Sequence, residues 1–257
     1  MKNEFLTAGV FENLRTYEGK FFGLDEHLDR FFESAKTVGL QIPAARAELK
    51  TRLETALAQS GKKEAFIRLT LMDKEIFIFV TERTHPPEIY REGVALRTSA
   101  VKRNSSAAEF PEAKSTSSLN QVLATLDPAP SGNYETLFLG PQGYLTEARI
   151  GNLFIVKENR LLTPPPVGLL NGVTRRFVIK WARSEGIPVE ETLLTRHELF
   201  NAEEAFLTNT SWEILPVREV DGRKIGDKAP GPLTRKLQRL FRRGVEREIR
   251  KKKNGKN

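Results

Sequence analysis

The chain has 257 residues, enough for one large domain or two of ordinary size, and its 39% hydrophobic and 29% charged residues suit a globular protein rather than a disordered one. It has no cysteine, which excludes disulfides, thiolate metal sites and cysteine nucleophiles, and His27, His85 and His197 are too scattered to suggest a metal site. The net charge of +8 gathers between Arg235 and Lys256, and with no zinc-finger spacing or aromatic RNA-binding signature it predicts nonspecific attraction to polyanions, not a specific nucleic-acid reader.

No apolar run approaches the roughly 20 residues of a membrane span, and Met1-Lys2-Asn3-Glu4 does not open a signal peptide, so a cytoplasmic location is expected. Gly9 to Tyr17 mixes apolar and polar residues as a strand would, and Glu18-Gly19-Lys20 supplies a turn. Asp25 to Ala35 carries acidic residues in its first turn and reads as an amphipathic helix. Pro43 to Gln59 reads as a second, with Leu49, Leu53, Ala56 and Leu57 at helical spacing. Ala65 to Leu71 and Glu75 to Val80 predict a hairpin about Asp73-Lys74, and Val94 to Ala100 a further strand.

Residues 1–105 thus read as a small α+β domain, 106–111 as an interdomain loop within a polar, aperiodic stretch, and 112–257 as a larger α/β domain. In the latter, Leu119 begins a helix that ends near Asp127-Pro128. Glu135 to Leu139 and Tyr144 to Glu147 read as strands about a Gly140–Gly143 turn, and Asn152 to Val156 with Arg160 to Thr163 as a hairpin. A proline-stiffened loop, Thr163 to Gly172, feeds a helix from Val173 to Glu185 with Val173, Phe177, Ile179, Trp181 and Ala182 on its core face. After a turn at Asp221-Gly222, a last helix runs from Leu233 to Ile249, and Lys251 to Asn257 reads as a frayed tail.

Three stretches carry candidate chemistry. Lys114 precedes an apolar helical run, where a desolvated amine could form a Schiff base with an aldehyde; a solvated surface lysine is the competing reading. Gly172-Val173-Thr174 opens a helix, so free N–H groups and a hydroxyl suit a phosphate, although a plain glycine-led cap has the same sequence. Thr208-Asn209-Thr210-Ser211 ends the apolar run Ala205-Phe206-Leu207 and offers a similar anion site or a capping turn.

Five pieces occur in one order: Phe11-Glu12-Asn13-Leu14-Arg15 with His27-Leu28-Asp29-Arg30; Lys114-Ser115; Glu147 with Asn152-Leu153-Phe154; Gly172-Val173-Thr174-Arg175; and Thr208-Asn209-Thr210 with Pro216-Val217. Together they resemble the class IV (fold type IV) pyridoxal-phosphate enzymes, which include branched-chain and D-amino acid aminotransferases and aminodeoxychorismate lyase. The resemblance implies a two-domain α/β fold with pyridoxal 5′-phosphate between the domains, a homodimer, and amino transfer between an amino acid and a 2-oxo acid. It implies that Lys114 is the Schiff-base lysine and proton carrier, that Glu147 lies beside the pyridine nitrogen, and that Arg30, Gly172, Val173, Thr174 and Thr210 hold the phosphate.

Arg68 matches a strand position facing the substrate, and it reads either as a carboxylate-binding residue or as an ion-paired surface arginine. Lys102 and Arg103, at the interdomain loop, could add positive charge, and Arg149 could too, though solvation suits it better. Two positions depart from the family: Leu6 stands where many aminotransferases have an aromatic residue, and Leu119 where many have a tyrosine near the cofactor's phenolic oxygen. Aminodeoxychorismate lyase, which eliminates pyruvate, is the alternative reading, and a non-catalytic, nucleic-acid-associated protein a remote one.

Overall fold

The structure is a computed structural model that describes residues 9–102, 110–116 and 133–254, with side chains to residue 250; the expected helix from Leu119 lies outside them. Its contacts group residues 9–84, 113–116 and 247–254 into one unit, and residues 85–102, 110–112 and 133–246 into another.

The first unit is an antiparallel sheet in the order β2-β1-β3-β4, made of β1 (Val10–Tyr17), β2 (Lys20–Phe21), β3 (Phe66–Met72) and β4 (Glu75–Thr81), with helices α1 (Leu24–Thr37) and α2 (Arg46–Ser60). Alternation along β1 decides its two faces. Val10, Glu12, Leu14 and Thr16 are buried, while Phe11, Asn13, Arg15 and Tyr17 are half-buried. Leu14, Leu28, Phe31, Leu49, Leu53, Ile67 and Leu69 form the core. Each such side chain gains about 1.5–3 kcal/mol on full burial, which holds α1 and α2 on the sheet. Helix α2 starts three residues later than Pro43, because Ala45 is still extended and serves as its N-cap.

The second unit holds β5 (Val94–Thr98), β6 (Glu135–Leu139), β7 (Leu145–Ala148), β8 (Gly151–Lys157), β9 (Arg160–Thr163), β10 (Val189–Glu191), β11 (Glu204–Asn209), β12 (Glu213–Val220) and β13 (Arg223–Lys224). Strand β7 pairs with both β6 and β8, so β7-β8-β11-β12-β5-β6 closes into a six-stranded, barrel-like ring. Closure removes free edges. Leu96, Leu137, Leu153, Ile155, Leu207, Leu215 and Val217 belong to its main hydrophobic core.

On the opposite side of β8 and β11, Phe154 stacks on Phe206 with ring centroids 5.0 Å apart. Helices α3 (Glu88–Glu92), α4 (Val173–Ser184), α5 (Arg196–Phe200) and α6 (Pro232–Asn254) complete the described elements. Trp181 of α4 meets Phe241 of α6 edge to face at 5.3 Å, and Gly244 permits the approach, since a Cβ there would come within 2.5 Å of the indole. Trp181 is only half-buried, unlike the other residues expected on that helix's core face. Helix α6 also continues to Asn254, past the point where a frayed tail was expected.

Candidate active site

In the first unit, Lys114 is fixed by its own backbone. Its N–H donates to Ser34 Oγ at 3.0 Å, and its carbonyl accepts from Phe11 N–H at 3.0 Å. Ser115 bridges to Val10, and Thr116 N–H donates to Gly9 O at 2.7 Å, so residues 114–116 align against the start of β1. The half-buried side chain then places Nζ 4.7 Å from the centroid of the Phe11 ring.

Arg68, on β3, lies over the same ring, with its guanidinium carbon 3.9 Å from the centroid. It has no carboxylate partner among the described residues. Burial first, and then the nearby Arg83 charge, lower its pKa. The structure thus brings Lys114 and Arg68 together on one aromatic ring.

Arg30 is 6% exposed and donates to the fully buried Glu12, from Nε to Oε1 at 2.6 Å and from Nη2 to Oε2 at 2.8 Å. The His27 ring nitrogen Nδ1 is 2.7 Å from Glu12 Oε2. Burial alone would raise the Glu12 carboxyl, but the Arg30 charge and the hydrogen bonds from Arg30 and His27 hold it below the usual carboxylate range. Burial pushes His27 down from the ordinary value of 6.5, although Glu12 pulls the other way, so the imidazole favours its neutral form with the proton on Nδ1.

In the second unit, β7, β8 and β11 set a row of polar groups. Glu147 pairs with Asn152, and Asn152 with Thr208, so the three side chains share one face of the sheet. Glu147, 5% exposed, accepts long hydrogen bonds from Leu170 N–H at 3.3–3.4 Å and from Asn152 Nδ2 at 3.4 Å. Asn152 Nδ2 also donates to Leu170 O at 2.8 Å, pinning the loop that leads into α4. Gly172 is the N-cap of α4, with no side-chain hydrogen bond capping it, and Val173 and Thr174 behind it are buried. A Cβ at Gly172 would come within 2.2 Å of Asn152 Oδ1. The buried Thr208 Oγ1 has no hydrogen-bond partner among the described residues.

Thr210 is half-buried in the turn between β11 and β12. Asn209 shapes this turn, its Oδ1 accepting from Ser211 N–H and Trp212 N–H at 2.8 Å each. Arg149 is ion-paired with the buried Glu135 at 3.1 Å rather than solvated. Lys102 is exposed, while Arg103, Leu6 and Leu119 lie outside the described residues.

This donor set fits pyridoxal 5′-phosphate. The uncapped α4 terminus offers amides to a phosphate. The buried Glu147 carboxylate matches a protonated ring nitrogen, and the orphaned Thr208 hydroxyl on its row leaves polar capacity for a ligand. Lys114, Arg30 and Arg68 belong to the first unit, and Glu147, Gly172, Val173, Thr174 and Thr210 to the second.

The barrel-like sheet of the second unit and the smaller α+β unit are those of the pyridoxal-phosphate enzymes of fold type IV. The family model "Amino-transferase class IV" matches residues 9–220. A branched-chain-amino-acid aminotransferase of Pseudomonas aeruginosa is 33% identical over 253 residues, spanning 91% of this chain and 82% of its own. A D-alanine aminotransferase of Bacillus licheniformis is 29% identical, over 95% and 89% of the two chains. The T.th. branched-chain amino acid aminotransferase with pyridoxamine 5′-phosphate superposes with a TM-score of 0.88 at 29% identity, over 94% and 86%. The chain belongs to the class IV aminotransferases. It is a pyridoxal-phosphate enzyme that moves an amino group between an amino acid and a 2-oxo acid.

Sequence reasoning assigned no role to Glu12 or Asn152, and named Thr208 only within the stretch 208–211 offered as an anion site or a capping turn. The signal was present for Asn152: asparagine is depleted in strands, and one inside an apolar run needs a polar task. For Thr208 the hydroxyl at the end of an apolar run was visible, but only the cross-strand register aligns it with Glu147.

Proposed function

We propose that this aminotransferase acts on branched-chain L-amino acids and their 2-oxo acids. In this reading Lys114 is the reacting amine and Glu147 faces the cofactor's ring nitrogen. Arg30, Gly172, Val173, Thr174 and Thr210 hold its phosphate. The observation that carries the reading is the meeting of Lys114 Nζ and the Arg68 guanidinium on the Phe11 ring. An amine for the chemistry, a cation for a carboxylate and an apolar surface for an aliphatic side chain lie within one small unit. The branched-chain aminotransferases among the named relatives support the branched-chain class. Arg103 remains a candidate for additional positive charge.

The cofactor supplies an electron sink for the electrons left when the substrate Cα loses its proton. The protein does the rest. Lys114 Nζ takes that proton and returns it one position away as a general acid. Glu147 keeps a negative charge where ring protonation needs it, and the α4 amides orient the phosphate without a proton change. Arg68 fixes the substrate carboxylate, so that the Cα–H bond presents to Lys114.

The homodimer is part of the same proposal. Phe77 and Phe79 stack at 6.5 Å on β4, and Phe79 is 57% exposed, an apolar surface suited to a second copy. Sedimentation of the purified protein as a monomer at micromolar concentration would remove that part. A cytoplasmic location belongs to it too, supported by a chain without cysteine, and activity confined to a secreted fraction would overturn it.

The deciding experiment is the visible spectrum of wild type and Lys114→Ala with L-valine, L-leucine, L-isoleucine and D-alanine. Wild type is expected to convert its cofactor band to the amine form with the three L-amino acids, and the variant to convert none. Conversion by D-alanine alone would replace the L-branched assignment. Release of pyruvate from a single substrate, with no acceptor, would make the enzyme a lyase.

A further inference from the structure

We infer that Arg175 is a positioning residue for the phosphate cup, fixing the loop and first helical turn that hold the phosphoryl group; the inference rests on the cofactor reading above. Arg175 is the third residue of α4 and only 2% exposed, which places it among the largest fully buried side chains. Its guanidinium makes three described attachments. Nη2 donates to Pro164 O at 2.9 Å and to Glu191 Oε2 at 2.7 Å, and Nη1 donates to Asn171 Oδ1 at 3.2 Å. One planar group therefore ties both ends of the 164–171 loop to strand β10.

That loop carries the parts of the cup. Leu170 bonds Glu147 and Asn152 through its backbone, and Gly172 presents the free amides of α4. A shift in the loop would displace the ring-nitrogen carboxylate's neighbour and the phosphate amides together.

The placement is costly for a purely structural arginine. The start of a helix carries partial positive charge and favours acidic residues, yet the first turn of α4 has none and buries a cation instead. Glu191, with its side chain 31% exposed, offsets that charge incompletely, and Arg175 Nε has no hydrogen-bond partner among the described residues. The three other described helix starts in this unit follow the ordinary rule: Glu88 lies in the first turn of α3, Thr195 and Glu198 form a capping box on α5, and Glu204 accepts from the first amides of α6. A cost of this kind, concentrated beside a candidate site, is expected where function sets the residue.

The test compares two ligands on the cofactor-stripped enzyme, pyridoxal 5′-phosphate and pyridoxal, which lacks the phosphate. Arg175→Lys keeps the charge and loses the planar fork. It is expected to weaken pyridoxal phosphate binding roughly 10-fold or more, the scale seen when an outer partner of a ligand-holding group is lost, and to weaken pyridoxal binding much less. A fold-only role would leave the ratio of the two affinities at the wild-type value, and that result overturns the inference. Should Arg175→Lys not fold, Glu191→Ala removes one anchor at a partly exposed strand position and carries the same expectation with a smaller change. Wild-type protein that binds neither ligand would overturn the cofactor reading and this inference with it, whereas wild-type binding with an unchanged ratio in the variants overturns this inference alone.

Discussion

Arg30 grips both oxygens of Glu12, from Nε at 2.6 Å and from Nη2 at 2.8 Å, and the pair is nearly closed to solvent. Two parallel charge-assisted bonds fix the plane of the guanidinium as well as its position. The Arg30 side chain, proposed above to hold a phosphate, is thus held in place by Glu12. Glu12→Gln removes the charge from a buried pair, which costs about 3–5 kcal/mol when one partner is lost. Urea unfolding should show a matching fall in the midpoint, and an unchanged midpoint would refute the assigned burial.

Acid should weaken the first unit in two steps. The folded-state pKa values of His27 and Glu12 both lie below their ordinary values of 6.5 and 4.5. The unfolded chain therefore binds more protons on acidification, and stability falls with pH. The His27 contribution is complete above pH 6.5 and fades below it, and the Glu12 contribution fades below about pH 4.5. Glu135 in the second unit works in the opposite sense, since burial raises it against the pull of Arg149. Urea midpoints measured across pH should show His27→Asn flattening the upper step and sparing the lower.

The sequence made the pieces of the site visible and hid their joints. Gly172 reads as a helix start because glycine, valine and threonine precede a 3.6-residue pattern, and α4 does begin at Val173. Nothing local says that a Cβ at Gly172 would strike Asn152, twenty residues earlier, because that is a matter of loop and strand in space. Strand β12 escaped notice for a local reason. Pro216 lies within it, paired with Phe206, and proline in a run argues against a central strand. The parallel ladder to β5 starts one residue later, at Val217. The Glu12–Arg30 pair spans eighteen positions, and only the strand-turn-helix geometry of β1 and α1 brings it together.

Glu204 anchors the last helix. Its two oxygens accept from Leu233 N–H at 2.8 Å and Thr234 N–H at 2.7 Å, satisfying amides that the first turn of α6 leaves open. A carboxylate there also suits the positive end of the helix. Glu204→Ala should cost about 1–2 kcal/mol as a lost cap, read as a lower melting temperature of the apoenzyme. Cofactor affinity is expected to stay at the wild-type level, and a selective loss of affinity would give Glu204 a different role.

Gly172→Ala tests the cup by sterics alone. The added methyl would come 2.2 Å from Asn152 Oδ1, and that amide cannot move freely while its Nδ2 holds Leu170 O at 2.8 Å. Either the α4 terminus or the Leu170 loop must give way, and each shift carries the phosphate amides or the neighbour of Glu147 out of place. Displacements of this size in a binding constellation cost on the order of 100-fold in function, so pyridoxal phosphate affinity should fall steeply while the far-ultraviolet circular dichroism stays native. Gly186→Ala is the control. Its φ of +70° strains an alanine, but nothing lies within 4 Å of the new methyl. That variant should lose about 1 kcal/mol of stability and bind cofactor as wild type does. Equal cofactor loss in both variants would mean that general strain, and not the Gly172–Asn152 contact, governs the cup.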